Sequence, residues 1–372
     1  MGSVRAGHRT GRAVTPVRVL VVDDSVVVRR LVSDALNRDS RIEVVGTAAN
    51  GRLAQARVEQ LAPDLVTMDV EMPEMDGIAA VRALRQAGHR MPIVMFSTLT
   101  ERGAAATLDA LAAGATDYVA KPSGGASVAD SLQRVALELV PKVLALAGAR
   151  SGPSPVRPVP GGPAVRVATG GPLPSHPVRL VVVGSSTGGP EALSRFVGGL
   201  APLPVPAVVV QHMPPVFTRQ LAARLDRAGA SCVVEAAGDE ELRPGTVYVA
   251  PGDHHLVVRR RAGGGLVTAV VDTPPVNFCR PSVDVLFSSA VEAVGGEVLG
   301  VVLTGMGADG RTGAGQIVAA GGTVLAQDQA SSVVWGMPGA VAAAGFAHRV
   351  LPLDQIAGVV GGILATGARG TP

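Results

Sequence analysis

The sequence has few cysteines, few aromatic residues and no long apolar run. Only Cys232 and Cys279 occur among 372 residues. They lack the spacing of a metal site, which argues against a disulfide framework and favours a reducing cytoplasm. No apolar run approaches the roughly 18 residues that a membrane span requires. The N-terminal stretch carries Arg and His without the apolar segment of a signal peptide. We therefore expect a cytoplasmic protein without membrane insertion.

Neither sign of charge dominates, because the formal net charge is only +3. The excess of Arg over Lys is weak evidence for nucleic acid and suits an acidic protein partner equally well, so no nucleic-acid partner is predicted. Hydrophobic residues make up 47% of the chain while aromatics make up 2%. Val-rich runs that alternate with Ala-rich stretches are typical of buried parallel strands covered by helices.

A segment rich in proline and glycine divides the chain into two parts. Residues 148–177 contain eight prolines and six glycines and show no apolar periodicity. Such a composition is typical of an extended, semi-rigid linker. The predicted organisation is a disordered extension over 1–16, a first domain over 17–147, the linker over 148–177 and a second domain over 178–372.

The first part alternates strand and helix patterns, which predicts a doubly wound parallel sheet. Helices are expected to start near Val26, Gly51, Gly77 and Ala104, and a last one to run from about Val128 to Leu146. The predicted strands are Val17–Val22, Ile42–Ala48, Asp64–Met68, Met91–Phe96 and Asp117–Ala120.

The second part alternates in the same way, apart from one predicted hairpin of Leu256–Arg260 and Leu266–Val271. The other predicted strands are Arg179–Val183, Ala207–Gln211, Cys232–Ala236, Thr246–Val249, Val298–Leu303 and Thr323–Ala326. In both parts, ligands are expected at the carboxyl ends of the parallel strands.

Polar side chains gather at those ends in the first domain. Asp23 and Asp24 end the first predicted strand, Asp69 ends the third, Ser97 the fourth and Lys121 the fifth. Three carboxylates together are costly unless a hard divalent cation such as Mg²⁺ neutralises them. The cation and Lys121 would then stabilise a phosphoryl group that moves onto Asp69, and Ser97 would bind the acquired phosphate.

These residues stand in motifs that resemble a response-regulator receiver domain, which has a flavodoxin-like fold. The motifs are Val-Asp-Asp-Ser at 22–25, Met-Asp-Val-Glu-Met-Pro at 68–73, Met-Asp-Gly at 75–77 and Lys121-Pro122. The resemblance covers about residues 17–145. It implies that Asp69 is the phosphorylated residue, that Asp23 and Asp24 hold Mg²⁺ with it, and that Ser97 and Tyr118 are switch residues.

A Gly/Ser loop in the second domain runs from a predicted strand into a predicted helix. It reads Gly-Ser-Ser-Thr-Gly-Gly from residue 184, with Pro190 and Glu191 suited to the first helical turn. Residues 184–188 fit the G-x-S-x-G pattern that exposes a nucleophilic serine, here Ser186. A phosphate cradle or a plain turn would fit the same loop.

A base and a carboxylate follow two other strands, because His212 comes after Ala207–Gln211 and Asp309 after Val298–Leu303. A nucleophilic serine needs both groups. A hydrolase with the order Ser, Asp, His would instead use His348. Asp309 between glycines also fits a cap of a helix from about Gly310 to Ala320. His254 and His255 are interpreted as surface residues rather than substrate contacts.

The second domain resembles the CheB-type chemotaxis methylesterases over about residues 178–360. The shared motifs are Gly-Ser-Ser-Thr-Gly-Gly, Gln-His-Met at 211–213, Ala-Pro-Gly at 250–252, Arg-Pro-Ser-Val-Asp at 280–284, Gly-Met-Gly-Ala-Asp-Gly at 305–310 and Gly-Met-Pro at 336–338. The resemblance implies Ser186 as nucleophile, His212 as general base and Asp309 as orienting carboxylate, with the Thr187 amide and Met306 near the oxyanion. Ser185 stands where the family more usually has alanine, so a second hydroxyl adjoins the nucleophile.

The resemblance implies a phosphorylation-activated esterase that hydrolyses glutamate methyl esters on the cytoplasmic helices of chemoreceptors and releases methanol. It also implies a chemotaxis histidine kinase as phosphodonor, methylated chemoreceptors as substrate, and possible deamidation of receptor glutamines. Mg²⁺ would serve the receiver, and ester hydrolysis would need no cofactor. A transcriptional regulator would instead carry a compact helix-turn-helix effector. A binding module without activity would not need the three catalytic residue types.

Overall fold

The computed structural model describes residues 15–121, 128–150 and 177–367. Most of the predicted N-terminal extension, Pro122 and most of the predicted linker lie outside these ranges. The domain boundaries therefore stay predictions. Among the described helices, none has the length and apolar character needed to cross a membrane.

The first domain is a five-stranded parallel sheet with helices on both faces. Its strand order, β2-β1-β3-β4-β5, is the flavodoxin-like order, which confirms the predicted fold class. The elements are β1 (Val17–Val22), α1 (Val26–Asn37), β2 (Ile42–Ala48), α2 (Gly51–Leu61), β3 (Leu65–Asp69), α3 (Gly77–Gln86), β4 (Ile93–Ser97), α4 (Glu101–Ala112), β5 (Asp117–Ala120) and α5 (Val128–Arg150). All five predicted strands are present, and bounds differ by two residues at most.

Four helices of this domain begin where a side chain accepts a hydrogen bond from a backbone amide of the first turn. The capping residues are Ser25, Asn50, Asp76 and Thr100. Such caps satisfy amides that have no partner inside the helix. They fix the βα loops at the carboxyl edge of the sheet, where Asp23 and Asp69 lie.

The second domain is a seven-stranded parallel sheet in the order β14-β13-β12-β6-β7-β9-β8, with a separate antiparallel hairpin β10-β11. Its elements are β6 (Leu180–Ser185), α6 (Gly189–Gly198), β7 (Ala207–Gln211), α7 (Phe217–Asp226), β8 (Cys232–Glu235), β9 (Thr246–Val249), β10 (His255–Arg260), β11 (Leu266–Val271), α8 (Val283–Val294), β12 (Val298–Val302), α9 (Arg311–Ala319), β13 (Thr323–Gln327), α10 (Met337–Ala343), β14 (Arg349–Leu351) and α11 (Leu353–Gly367). The predicted strands and hairpin are confirmed, and β14 was not predicted.

The two domains pack against each other through α4 and β5 of the first and α7 of the second. Tyr118 in β5 stacks on Phe217 in α7, with ring centroids 4.8 Å apart and planes 9° from parallel. At the rim, Arg224 lies 3.2 Å from the carboxylate of Asp109 in α4. Offset aromatic stacking with charged pairs around it is typical of a specific but modest domain interface.

Candidate active site

The carboxyl edge of the second sheet brings the loops of Ser186, His212 and Asp309 together. β6 ends at Ser185 and β7 at Gln211, and these two residues are paired in the sheet. The backbone amide of His212 donates to the carbonyl of Ser185 at 3.1 Å. β12, on the other side of β6, leads into the loop that carries Asp309. The predicted meeting of these loops at one sheet edge is therefore present.

The two adjacent serines differ in what their side chains can reach. Ser185 is the last residue of β6 and is fully buried. Its hydroxyl donates to Oε1 of Gln211 at 2.7 Å. Ser186 is half-buried and lies in the loop before α6, where none of the described residues makes a hydrogen bond to its hydroxyl. Only Ser186 thus presents a hydroxyl to an incoming substrate.

The loop after Ser186 is shaped to leave backbone amides available. Gly188 has a φ of +75°, which favours glycine, and α6 begins at Gly189 with Pro190 in its first turn as predicted. Within the described ranges, the Thr187 amide donates to no acceptor. Met306 is partly buried in the neighbouring loop and, like Val333, packs against an apolar cluster that contains core residues of the first domain. The roles of the Thr187 amide and Met306 at an oxyanion stay predictions.

Asp309 is buried in a ring of donors. Its Oδ1 accepts from the Ser282 hydroxyl at 2.9 Å and from the Asp284 amide at 3.1 Å, and its Oδ2 accepts from the Val283 amide at 2.7 Å. Burial opposes ionisation, but the hydrogen bonds from His212 and from these amides hold the pKa of Asp309 well below its usual range. The amides are the first turn of α8, whose dipole also favours a carboxylate.

The alternative that Asp309 caps the helix beginning near Gly310 is wrong. That helix, α9, begins at Arg311, and its N-cap residue Gly310 has no side-chain cap. Asp309 accepts from the neighbouring Gly310 amide at 3.0 Å, but its other backbone donors lie in the first turn of α8, some 25 residues earlier in the chain. The sequence could not indicate this partner, because the contact joins distant parts of the chain.

His212 is held by Asp309 through one ring nitrogen. Its Nε2 lies 2.9 Å from Oδ2 of Asp309. Since the ionised carboxylate can only accept, Nε2 carries a proton and Nδ1 keeps its lone pair when the ring is neutral. Burial lowers the pKa of His212, but the hydrogen bonds to Asp309 and Cys279 outweigh it and raise the pKa to about 9.

The structure joins His212 to Asp309 but does not join the Ser186 hydroxyl to His212. Nδ1 of His212 faces Sγ of Cys279 at 3.6 Å instead. Hydrogen bonds between a nucleophile and its base are often absent without substrate and form in the substrate complex.

Several residues of this site had no role in the sequence-based interpretation. Cys279 adjoins the His212 ring, and Asn277 donates to both Asp309 and Asp284 at 3.1 and 2.8 Å. Neither residue directly follows a predicted strand, so the expectation that ligands lie at the carboxyl ends of strands does not identify them. Their only signal is the adjacent Arg-Pro-Ser-Val-Asp motif, whose Ser282, Val283 and Asp284 bind Asp309.

The interpretation of His255 as a surface residue is wrong. Its ring is fully buried, accepts from the Ser282 amide through Nδ1 at 3.1 Å and lies 3.1 Å from the Pro274 carbonyl through Nε2. It therefore supports the start of α8. His348 is bound to the amide of Val324, near the amino end of β13. It lies at the opposite edge of the sheet from Ser186, so His348 cannot complete a catalytic triad with the chain order Ser, Asp, His.

The first domain has an acidic site at its own carboxyl edge. Asp23, Asp24 and Asp69 each place one oxygen within 4.8 Å of the others. The Lys121 ammonium lies 2.9 Å from Asp23 and 2.8 Å from Asp69. Burial and the charge of Asp23 raise the pKa of Asp69 to about 6, against the opposing effect of Lys121. An oxygen-only donor set with excess negative charge fits Mg²⁺.

The cavity above Asp69 has a volume of about 250 Å³ and is also lined by Ser97. The Ser97 hydroxyl donates to the Gly103 carbonyl at 3.1 Å and not to Asp69. Tyr118, the other predicted switch residue, is buried against α7 of the second domain. The acidic site is thus linked through Ser97 and β5 to the domain interface.

One hydrogen bond connects the two domains directly beside Ser186. The hydroxyl of Thr187 donates to Oδ2 of Asp117, the first residue of β5, at 3.0 Å. Lys142 in α5 binds the same carboxylate at 2.6 Å. Val334, on the loop before α10, belongs to an apolar cluster that also contains core residues of β5 and α5, and Val333 packs against that cluster. The first domain therefore covers the edge of the Ser186 loop.

The fold and the two sites define a response regulator with a hydrolase as its effector. Residues 19–133 match the family model described as "Response regulator receiver domain", and residues 181–360 match the one described as "CheB methylesterase". The chain belongs to the CheB methylesterase family.

Relatives match along nearly the whole chain. A protein of Nocardioides sp. named "Protein-glutamate methylesterase/protein-glutamine glutaminase" is 60% identical, with 91% of this chain and 93% of that protein covered. One of Trichodesmium erythraeum with the same name is 44% identical, with 91% and 97% covered. Among solved structures, the Thermotoga maritima CheB methylesterase catalytic domain is 42% identical, with a TM-score of 0.49 over 50% of this chain and 98% of that one.

Proposed function

We propose that this chain hydrolyses the methyl esters of glutamate side chains on the cytoplasmic helices of chemoreceptors and releases methanol. The activity also extends to the side-chain amide of receptor glutamines. The proposal is supported by the names of the relatives, which state both activities. The observation that carries it is the ionised Asp309 that holds His212 by Nε2 at 2.9 Å, beside the loop of Ser186.

In the proposed mechanism Ser186 attacks the ester carbonyl and its proton passes to Nδ1 of His212. Asp309 holds the ring in the tautomer that keeps the Nδ1 lone pair and stabilises the imidazolium that forms. The imidazolium returns the proton to the leaving methoxide as methanol departs. A water molecule then releases the glutamate from Ser186 by the reverse of these proton transfers.

Two groups are suited to the negative oxygen of the tetrahedral intermediate. The Thr187 amide has no acceptor among the described residues, and Thr187 lies just before the start of α6, where the helix dipole favours an anion. The loop of Met306 lies across the same region. Removal of one such donor typically costs about 10²–10³ in turnover.

The first domain controls the esterase through phosphorylation of Asp69 by a chemotaxis histidine kinase. Asp23, Asp24 and Asp69 would hold Mg²⁺, which neutralises the carboxylates and the incoming phosphoryl oxygens. Lys121 positions the phosphoryl group and Ser97 binds it. Both cysteines are free thiols, in keeping with a cytoplasmic protein that meets the receptors at their cytoplasmic helices.

The identity of the nucleophile is tested with matched serine variants. Ser186→Ala is expected to lower methanol release from methylated receptors by up to about 10⁶-fold, because the attacking oxygen is lost. Ser185→Ala removes a hydroxyl that is bound to Gln211 and is expected to retain most of the activity. Methanol release is measured for both variants and for the unchanged protein.

Near-complete loss in Ser185→Ala with activity kept in Ser186→Ala would contradict the assignment. Circular dichroism on both variants separates a lost nucleophile from a lost fold.

A further inference from the structure

Cys279 stands beside the proposed general base although ester hydrolysis requires no thiol. Its Sγ lies 3.6 Å from Nδ1 of His212, the nitrogen that Asp309 leaves free. His212, Cys279 and Asp309 each offer a donor atom within 4.8 Å of the others. Thiolate, imidazole and carboxylate are the donors that Zn²⁺ binds in proteins.

The distance between Sγ and Nδ1 fits a hydrogen bond between the thiol and the ring, and it is also compatible with a shared zinc ion. Bonds of about 2.3 Å to sulfur and 2.0–2.1 Å to nitrogen at a tetrahedral angle place the two donors about 3.6 Å apart. The observed separation is 3.6 Å. An ion can therefore bind both atoms with little movement of either side chain.

Asp309 occupies the place of a supporting carboxylate for such an ion. A histidine that binds a metal through one nitrogen usually donates its other N–H to a carboxylate, which fixes the ring and raises its basicity. His212 makes this contact to Asp309 at 2.9 Å. The Cys279 loop is also fixed, since the backbones of Val276 and Cys279 exchange two hydrogen bonds.

We propose that Sγ of Cys279 and Nδ1 of His212 form a binding site for a divalent cation that prefers sulfur and nitrogen ligands, which under physiological conditions is Zn²⁺. An ion bound there inhibits the esterase. The ion would occupy the lone pair that accepts the proton of Ser186. Binding needs only the described geometry, whereas inhibition rests on the proposed role of His212. Sulfur and nitrogen donors discriminate against Mg²⁺, which prefers oxygen and belongs to the acidic site.

Zn²⁺ inhibition is measured on the full-length protein, with Mg²⁺ in excess so that the acidic cluster of Asp23, Asp24 and Asp69 is occupied. Methanol release is followed as Zn²⁺ is added, relative to the metal-free rate of each variant. Cys279→Ser is expected to need at least about tenfold more Zn²⁺ for half-inhibition. Cys232→Ser changes the other, exposed cysteine and is expected to behave as the unchanged protein.

Binding is measured separately through the ultraviolet absorption of a Cd²⁺–thiolate bond. One equivalent of Cd²⁺ is expected to produce the band in the unchanged protein and in Cys232→Ser, but not in Cys279→Ser. A band that persists in Cys279→Ser, or is lost in Cys232→Ser, overturns the site. Binding without inhibition overturns the inhibitory role. A protein with no esterase activity refutes the proposed function, and the absorption still decides whether the site exists.

Discussion

Asp309 accepts hydrogen bonds from the first turn of α8 and from His212 at once, so one carboxylate joins the proposed base to the protein core. In Asp309→Asn, a side-chain NH₂ at the position of Oδ2 would face two donors, the Val283 amide and Nε2–H of His212, both of which Oδ2 now accepts. We expect the fold to persist, with about 1–3 kcal/mol less stability from the unpaired donor. Turnover should fall about 10⁴-fold because the imidazole is no longer held in the tautomer that keeps the lone pair on Nδ1.

Methanol release and thermal unfolding of Asp309→Asn check this expectation. Asp284→Asn is the matched control, because Asp284 is bound to Asn277 and Gly313 rather than to His212. Near-normal turnover in a folded Asp309→Asn protein would remove Asp309 from the mechanism.

The raised pKa of His212 predicts how activity depends on pH. The base must be neutral, and its pKa is about 9 because of Asp309 and Cys279. In metal-free protein, kcat/KM should therefore rise about tenfold per pH unit until that pKa is approached. Cys279→Ser removes one cause of the raised pKa, so its activity should level off at a lower pH than that of the unchanged protein. A profile that is flat across neutral pH in the unchanged protein would contradict this account.

At the scale of elements, the strand ends were predictable and the side-chain contacts were not. Val-rich runs placed β6, β7 and β12 correctly, and parallel strands bring their carboxyl ends to one edge. The ring orientation of His212 depends on α8, which reaches Asp309 through contacts between distant segments. Helical and strand periodicity carries no information about such contacts, so Cys279 and the buried His255 were not recognised.

Gly305 lies where the β12 loop passes the Ser186 loop. A Cβ added there would lie 2.9 Å from Cβ of Ser186 and would also press on Met337. We expect Gly305→Ala to displace Ser186, to lower turnover, and to cost about 1–3 kcal/mol of stability from overpacking. Gly358→Ala in α11 is the control, since a Cβ there meets nothing within 4 Å. Equal turnover in both variants would show that the close approach is unimportant.

At the scale of the whole molecule, the receiver lies over the loop that carries the proposed nucleophile. Thr187 is bound to Asp117, and Tyr118 is stacked on Phe217. Phosphate on Asp69 would attract the Ser97 hydroxyl away from Gly103 and alter the adjoining β5 face. The two-domain organisation was predictable from the composition of residues 148–177. The surfaces through which the two domains contact each other were not predictable, because no local sequence pattern identifies which surfaces of two domains meet.

The central claim, that phosphorylation of the receiver uncovers a serine esterase, is tested most directly by one comparison of methanol release from methylated receptors. The samples are the full-length protein with and without a small phosphodonor and Mg²⁺, Asp69→Asn treated in the same way, and residues 178–372 alone. A coupling of about 1–3 kcal/mol predicts activation of about 5- to 150-fold by the phosphodonor, and none in Asp69→Asn. The fragment should be active without phosphate. A folded fragment that is no faster than the unphosphorylated full-length protein would contradict the account, because covering of the Ser186 loop would then not be what restrains the enzyme.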